Sequence, residues 1–244
     1  MILVFEGLDR AGKTTQTKKT HEWLESMGVM VKTLHFPDRS TELGKVLDKY
    51  LKTEINLCTK AAHLLFSANR WEHIEQLKQF EQSKTNWLLL DRYYYSGAAY
   101  SCAKDPSLTL EWCLGCEEGL PAPDMIFYFS GDFSKRENFG NERYEISEFQ
   151  QTVATNFEKL FEHDMAVRKV LPGTIEENFD TIKTTLVNNF LSLAKLHKEA
   201  AEEKPAIPKE KTLVEPDTQP PKKRVASEDQ AEPLGPPKKA PLIE

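Results

Sequence analysis

Gly7, Gly12, Lys13 and Thr14 stand in "FEGLDRAGKTTQ" (5–16) at the spacing G-x-x-x-x-G-K-[ST]. That spacing suits a loop whose backbone N–H groups surround phosphate oxygens. Its lysine reaches the outer phosphates and its threonine hydroxyl can ligate Mg²⁺. Two of the four free positions hold Asp9 and Arg10. A carboxylate beside polyphosphate repels it, so an acid in this loop poses a question of its own. A phosphate loop needs a strand before it and a helix after it, because the helix N-terminus adds partial positive charge. "ILVF" (2–5) and the helical pattern of Thr14 to Met27 meet both needs.

Four further clusters carry candidate chemistry. "LLFSANRWE" (64–72) places Phe66 and Arg70 four residues apart, on one helix face. A ring stacked on a flat base, with a guanidinium at the base's edge, would read a nucleobase. The same two residues alone also suit a ligand-free cation–π pair. In "LLLDRYYYSG" (88–97), Asp91 ends an apolar strand, where phosphate-loop enzymes hold their metal, and Arg92 can grip a second phosphate bidentately. The bland alternative there is an exposed ion pair. "FPDRST" (36–41) offers Arg39 after another strand, either to a ligand or to solvent. "SKRENFGNERYE" (134–145) suits a segment that closes over phosphates, or a solvated loop.

These clusters need a scaffold. Strand-like runs cover 2–5, 29–36, 86–91, 124–129 and 166–171. Helical patterns cover Thr14 to Met27, Ala61 to Gln82, Tyr93 to Ala103, Ser147 to Asp164 and Thr174 to Leu196. Alternation of this kind predicts an α/β domain, a five-stranded, mostly parallel sheet with helices on both faces. Ligands then sit beyond the carboxyl ends of the strands, where the clusters fall. From about residue 198 the sequence is rich in Pro, Lys and Glu and nearly free of aromatics, which predicts a disordered tail over 198–244 after a domain of 1–197.

Bulk properties narrow the classes. The net charge of −6 over 244 residues argues against a general nucleic-acid binder, so no direct nucleic-acid binding is expected. No apolar run approaches the roughly 20 residues of a membrane span, so no membrane partner is expected. The first residues are too short and uncharged for a secretory signal. Four cysteines suggest a reduced, intracellular protein. The C-x-x-C of Cys113 and Cys116 has no second pair or histidines at zinc spacing and reads as a bystander.

Taken together, "FEGLDRAGKTTQ", "FPDRST", "LLFSANRWE", "DRY..SG" and "FG.ERYE..EFQ" resemble thymidylate kinase of the eukaryotic and poxviral type, over about residues 1–197. The resemblance implies the phosphate-loop nucleoside monophosphate kinase fold and ATP-dependent phosphorylation of dTMP with Mg²⁺. It implies that Arg10, Lys13 and Asp91 are catalytic. Arg10, Ala11, Gly12, Lys13, Thr14 and Thr15 would bind ATP, with Arg136 and Arg143 in a lid of about 132–150. Asp9, Arg39, Phe66, Arg70, Arg92, Tyr100, Tyr144 and Gln150 would bind dTMP, and Thr14 and Asp91 the metal. Asp9 would then turn from the triphosphate to the 3′-hydroxyl of dTMP, while Arg10 offsets its repulsion and reaches the transferring phosphoryl group. A homodimer is implied as well.

A GTP-dependent switch protein would want N-K-x-D, which is absent, and a switch acid in D-x-x-G, a spacing found only at Asp9–Gly12 within the phosphate loop itself. A deoxynucleoside kinase would need a base for an uncharged hydroxyl and no Arg39–Arg92 pair. In the tail, Lys222, Lys223 and Arg224, with Lys209 and Lys211 upstream, suit an import receptor and hence a nuclear as well as cytoplasmic location; a merely solubilising tail is the alternative.

Overall fold

The computed structural model describes residues 1–83, 85–130 and 142–191. Among them five strands form one sheet. They are β1 (Ile2–Gly7), β2 (Met30–His35), β3 (Asn86–Asp91), β4 (Met125–Phe129) and β5 (Val167–Val170), in the order β2-β3-β1-β4-β5. Every pairing is parallel. The inner strands β1, β3 and β4 are apolar runs buried almost throughout, as a sheet covered on both faces requires. β2 lies at an edge, and its "MVKTLH" is mostly exposed. In the register, Phe5 pairs with Asp91 and Gly7 with Phe129. The chain therefore leaves β1 and β3 side by side, which sets the phosphate loop next to Asp91 and Arg92.

The helices are α1 (Lys13–Ser26), α2 (Glu42–Leu51), α3 (Thr59–Trp71), α4 (Ile74–Glu81), α5 (Tyr94–Lys104), α6 (Leu110–Gly115), α7 (Ser147–Phe161) and α8 (Ile175–Leu186). α2 was not expected from the sequence; its interior Gly44 is a poor helix former and masks the pattern. The single helix expected over 61–82 is two, α3 and α4. The cause is tertiary. Asn69 bonds the Asp38 backbone in both directions, accepting from its N–H at 2.7 Å and donating to its carbonyl at 3.1 Å. Thr41 donates to Glu72 at 2.8 Å. The loop after β2 thus grips the helix where the chain changes direction.

α8 opens on a capping box: the Thr174 hydroxyl accepts from the Glu177 N–H, and the Glu177 carboxylate accepts from the Thr174 N–H. A π-helical turn, Val187–Leu191, extends it. The rest of the helix expected to Leu196, the tail with Lys209, Lys211, Lys222, Lys223 and Arg224, and residues 132–141 of the expected lid lie outside the described residues. No helix among those described is long and apolar enough to cross a membrane.

Candidate active site

The loop after β1 reaches α1 through Gly12, whose φ of 91° is left-handed. A Cβ at Gly12 would meet nothing within 4 Å, so the backbone angle, rather than space, calls for glycine. Lys13, the first residue of α1, is buried and donates from Nζ to the Leu8 carbonyl at 2.5 Å. Burial, then repulsion by Arg92, pulls its pKa down to about 7, against the attraction of Asp9, Asp91 and Glu6. Phosphate oxygens beside it would restore its charge.

Thr14 donates to Asp91 Oδ2 at 2.5 Å, and His35 Nδ1 lies 3.2 Å from the same oxygen. Burial alone would raise the Asp91 pKa; the imidazole of His35, Lys13 and the Thr14 hydroxyl hold it at about 2. Asp91 Oδ1 is buried and has no hydrogen-bond partner. An ionised carboxylate with one idle oxygen, beside a hydroxyl, is an oxygen-donor site that a hard cation fits.

Asp9 faces the other way. One oxygen accepts from Arg92 Nη2, the other from Gln150 Nε2 at 2.7 Å, while the Asp9 N–H donates to Gln150 Oε1 at 3.2 Å. Burial opposes its ionisation, but Arg92 and Lys13 prevail and its pKa lies below the ordinary value. The loop's acid is therefore neutralised by Arg92, 83 residues away in sequence. The expectation that Arg10 supplies that balance is corrected: Arg10 Nη2 pairs with Glu145 at 3.2 Å. Arg92, with φ 70°, also donates to the Gly7 carbonyl and to Ser96 Oγ, each at 3.0 Å, and lies 5.3 Å from the centre of the Tyr100 ring.

Glu6 was not singled out from the sequence. It is fully buried and accepts from the N–H groups of Tyr93 and Ser96 and from Ser96 Oγ, which fixes the start of α5 and with it Arg92 and Tyr100. Burial raises its pKa. An acid inside the apolar run "ILVFEG" was the available signal.

Arg39 donates to Asp48 at 2.8 Å and bidentately to Glu142 at 2.8 and 3.0 Å. Tyr144 shares a 2.9 Å hydroxyl contact with Tyr50 and stacks on Phe149. Phe66 sits on α3, edge-on to Tyr50. One turn further along α3, Arg70 is buried and held by Glu117.

A cavity of about 250 Å³ joins these parts. Asp9, Arg10, Lys13, Thr14, Arg39, Phe66, Arg70, Asp91, Arg92, Tyr100 and Tyr144 all line it. Ala11, Gly12 and Thr15 belong to the loop and first turn behind it, and Gln150 reaches it through Asp9. Two expected residues are not brought in. Arg136 lies outside the described residues. Arg143 bonds the carbonyls of Tyr50 and Ile55, each at 2.9 Å, and lies over the Tyr50 ring, so its expected place above ATP is not the one it takes. The carbonyls after α2 are a ready acceptor site for a guanidinium. The sequence reading also missed His35, Glu117, Glu142 and Glu145, all on this cavity's walls or paired to residues that are. Of the cysteines, Cys113 has its sulfur 3.7 Å from that of Cys102. Among the described residues no group of three or more His, Cys, Asp or Glu could hold a metal by itself.

The signature of the thymidylate kinase family matches residues 5–180. A thymidylate kinase of Danio rerio is 42% identical over 198 residues, covering 79% of this chain and 92% of its own length. The thymidylate kinase of Homo sapiens is 42% identical over 162 residues, covering 65% of this chain and 76% of its own. The solved structure of thymidylate kinase from Candida albicans superposes with a TM-score of 0.68 at 34% identity, covering 77% of this chain and 91% of that one.

Proposed function

Because the chain belongs to the thymidylate kinase family, we propose that this cavity is where a phosphoryl group passes from ATP to dTMP. The reaction is the ATP-dependent phosphorylation of dTMP to dTDP, a step toward dTTP for DNA synthesis. One observation carries the residue assignments: a single loop turns Thr14 toward Asp91 on one side and Asp9 toward Arg92 on the other, with Lys13 attracted to both carboxylates. A loop that touches both reactants suits an in-line transfer.

On this reading the loop amides, Lys13 and Thr15 hold the ATP phosphates. Arg10 reaches the transferring group and stabilises charge on its equatorial oxygens. Arg39 and Arg92 clamp the acceptor phosphate, and Asp9 accepts from the 3′-hydroxyl. Phe66 stacks on thymine and Arg70 donates to O4. Tyr100 packs under the deoxyribose, with Tyr144 and Gln150 beside it. The acceptor is already a phosphate oxygen, so no base is assigned. Thr14 and the idle Oδ1 of Asp91 fit Mg²⁺, which takes its remaining ligands from water and phosphate. When bound, the ion supplies charge neutralisation between the phosphates.

Further parts of the reading concern assembly and place. Leu64, half exposed on α3, supports a homodimer face. The basic residues Lys222, Lys223 and Arg224 support import of a cytoplasmic enzyme into the nucleus. A coupled assay offering ATP with nucleosides and nucleoside monophosphates tests the chemistry. Turnover of dTMP with Mg²⁺, and none of thymidine, is the expected result. Turnover of thymidine instead would replace the reading with a deoxynucleoside kinase.

A further inference from the structure

Glu117 has no part in the chemistry above, yet its side chain is only 2% exposed and its partner Arg70 only 3%. The two are locked along one edge. Arg70 donates from Nε to Glu117 Oε2 at 2.9 Å and from Nη2 to Oε1. Nη1 and the outer hydrogen of Nη2 are left as the donors able to face a ligand.

The segment carrying Glu117 is pinned by α3 itself. His63 donates from Nε2 to the Cys113 carbonyl at 3.0 Å, and Ser67 and Trp71 both donate to the Cys116 carbonyl at 3.1 Å. These three residues form one stripe at four-residue spacing, with Arg70 beside it. The other side of the guanidinium lies on α5 at Gly97. A Cβ there would stand 2.8 Å from Arg70 Nη2, so only bare backbone admits it.

The cavity would otherwise have cations at both ends. Arg10, Lys13, Arg39 and Arg92 line it together with Arg70, and on the proposed reading the first four meet phosphates and Arg70 meets the base. A bare guanidinium in a water-poor pocket attracts a phosphate dianion. Nothing but shape would then stop a nucleotide from entering with its phosphate at the wrong end. We propose that Glu117 is a positioning residue: it cancels the charge of Arg70 and fixes its free donors, so that dTMP docks in one orientation and its base is read by hydrogen bonding alone. This rests on the reading of the cavity as the dTMP site.

The test is steady-state kinetics of Glu117→Gln, Glu117→Asp, Arg70→Met and the double variant Arg70→Met/Glu117→Met, with dTMP varied and inorganic phosphate as inhibitor. In Glu117→Gln the KM for dTMP should rise about tenfold or more, with kcat changed much less, since an interaction common to ground and transition states is lost. Inorganic phosphate should become a competitive inhibitor about tenfold stronger than toward the wild type. Glu117→Asp, which keeps the charge, should be inhibited by phosphate no more strongly than the wild type. Unchanged KM and unchanged phosphate inhibition in a folded Glu117→Gln protein would overturn the proposal. If that variant does not fold, Arg70→Met and the double variant decide. Arg70→Met leaves Glu117 unpaired and repelling phosphate, so its KM for dTMP should exceed that of the neutral double variant; equal values overturn the proposal. Failure of the wild type to turn over dTMP would instead overturn the reading on which it rests.

Discussion

Of the cavity's arginines, Arg10, Arg39 and Arg92, proposed to meet phosphates, come from three loops; Arg70, proposed to meet the base, comes from the body of α3. Arg10 and Arg39 are 40% and 37% exposed, and their carboxylate partners Glu145 and Glu142 belong to the short stretch before α7. Pairs so placed are worth little in water, so an incoming phosphate dianion can replace either carboxylate at small cost. The Arg70–Glu117 pair is closed to water, and separating it would strand a buried charge. On the proposed reading one end would exchange partners when a phosphate enters, while the other would keep its partner and present a fixed edge. The backbone agrees. Arg10 and Arg92 sit at left-handed φ of 60° and 70°, a conformation rare for side-chain-bearing residues and found where packing enforces it. Arg70 lies in ordinary helix.

The largest expected effect belongs to the exchanging end. Arg10→Gly should lower kcat on the order of 10³-fold or more while changing the KM for dTMP only modestly, because its contact forms with the transition state. A change confined to KM would mean that Arg10 merely binds, the role proposed for Arg39. Next comes Asp9→Ala, which leaves Arg92 and Gln150 without their shared acceptor. Its KM for dTMP should rise roughly tenfold to a hundredfold, the range for unpaired buried polar groups. An unchanged KM would place the sugar elsewhere. At the fixed end, base choice should be strict. Arg70 presents donors only, so the amino group of cytosine meets donor against donor, at about 1–3 kcal/mol. Equal kcat/KM for dCMP and dTMP in the wild type would remove Arg70 from base recognition.

A smaller effect concerns the frame of the fixed end. His63 is buried between Ser101 and the Cys113 carbonyl, and burial lowers its pKa. Folded His63 therefore holds a proton less well than an unfolded histidine, whose pKa is about 6.5. Its contribution to stability is complete above that pH and declines as the pH falls below it, because the unfolded chain gains the proton first. The melting temperature measured against pH should drop by about a few degrees more in the wild type than in His63→Gln. Parallel curves would show that His63 carries no such linkage. Least of all, deletion of 198–244 should leave dTMP kinase activity within about twofold, since the described residues that line the cavity all lie between Asp9 and Glu145. A larger loss would tie the tail to one of the two ends.

Much of this was legible beforehand, for definable reasons. The apolar runs of β1, β3 and β4 and the spacing of the phosphate loop are local signals, and each observed strand falls within about two residues of its expected range. The partners of charges are different. Asp9 meets Arg92 across 83 residues, Arg70 meets Glu117 across 47, and Glu6 caps α5 across 90. A carboxylate in a sequence carries no mark of which guanidinium will stand beside it. That depends on which strand ends adjoin in the sheet and which helices pack over them. Residue types and short spacings by themselves offered phosphate, a base-sized ring and a metal-friendly acid as candidates beside blander readings, and the joint order of the motifs is what resembled one family. Tertiary structure alone decided which arginines pair near the surface, Arg10 and Arg39, and which pair deeper, Arg92 and Arg70, because burial sets the strength of an ion pair and only the folded chain sets burial.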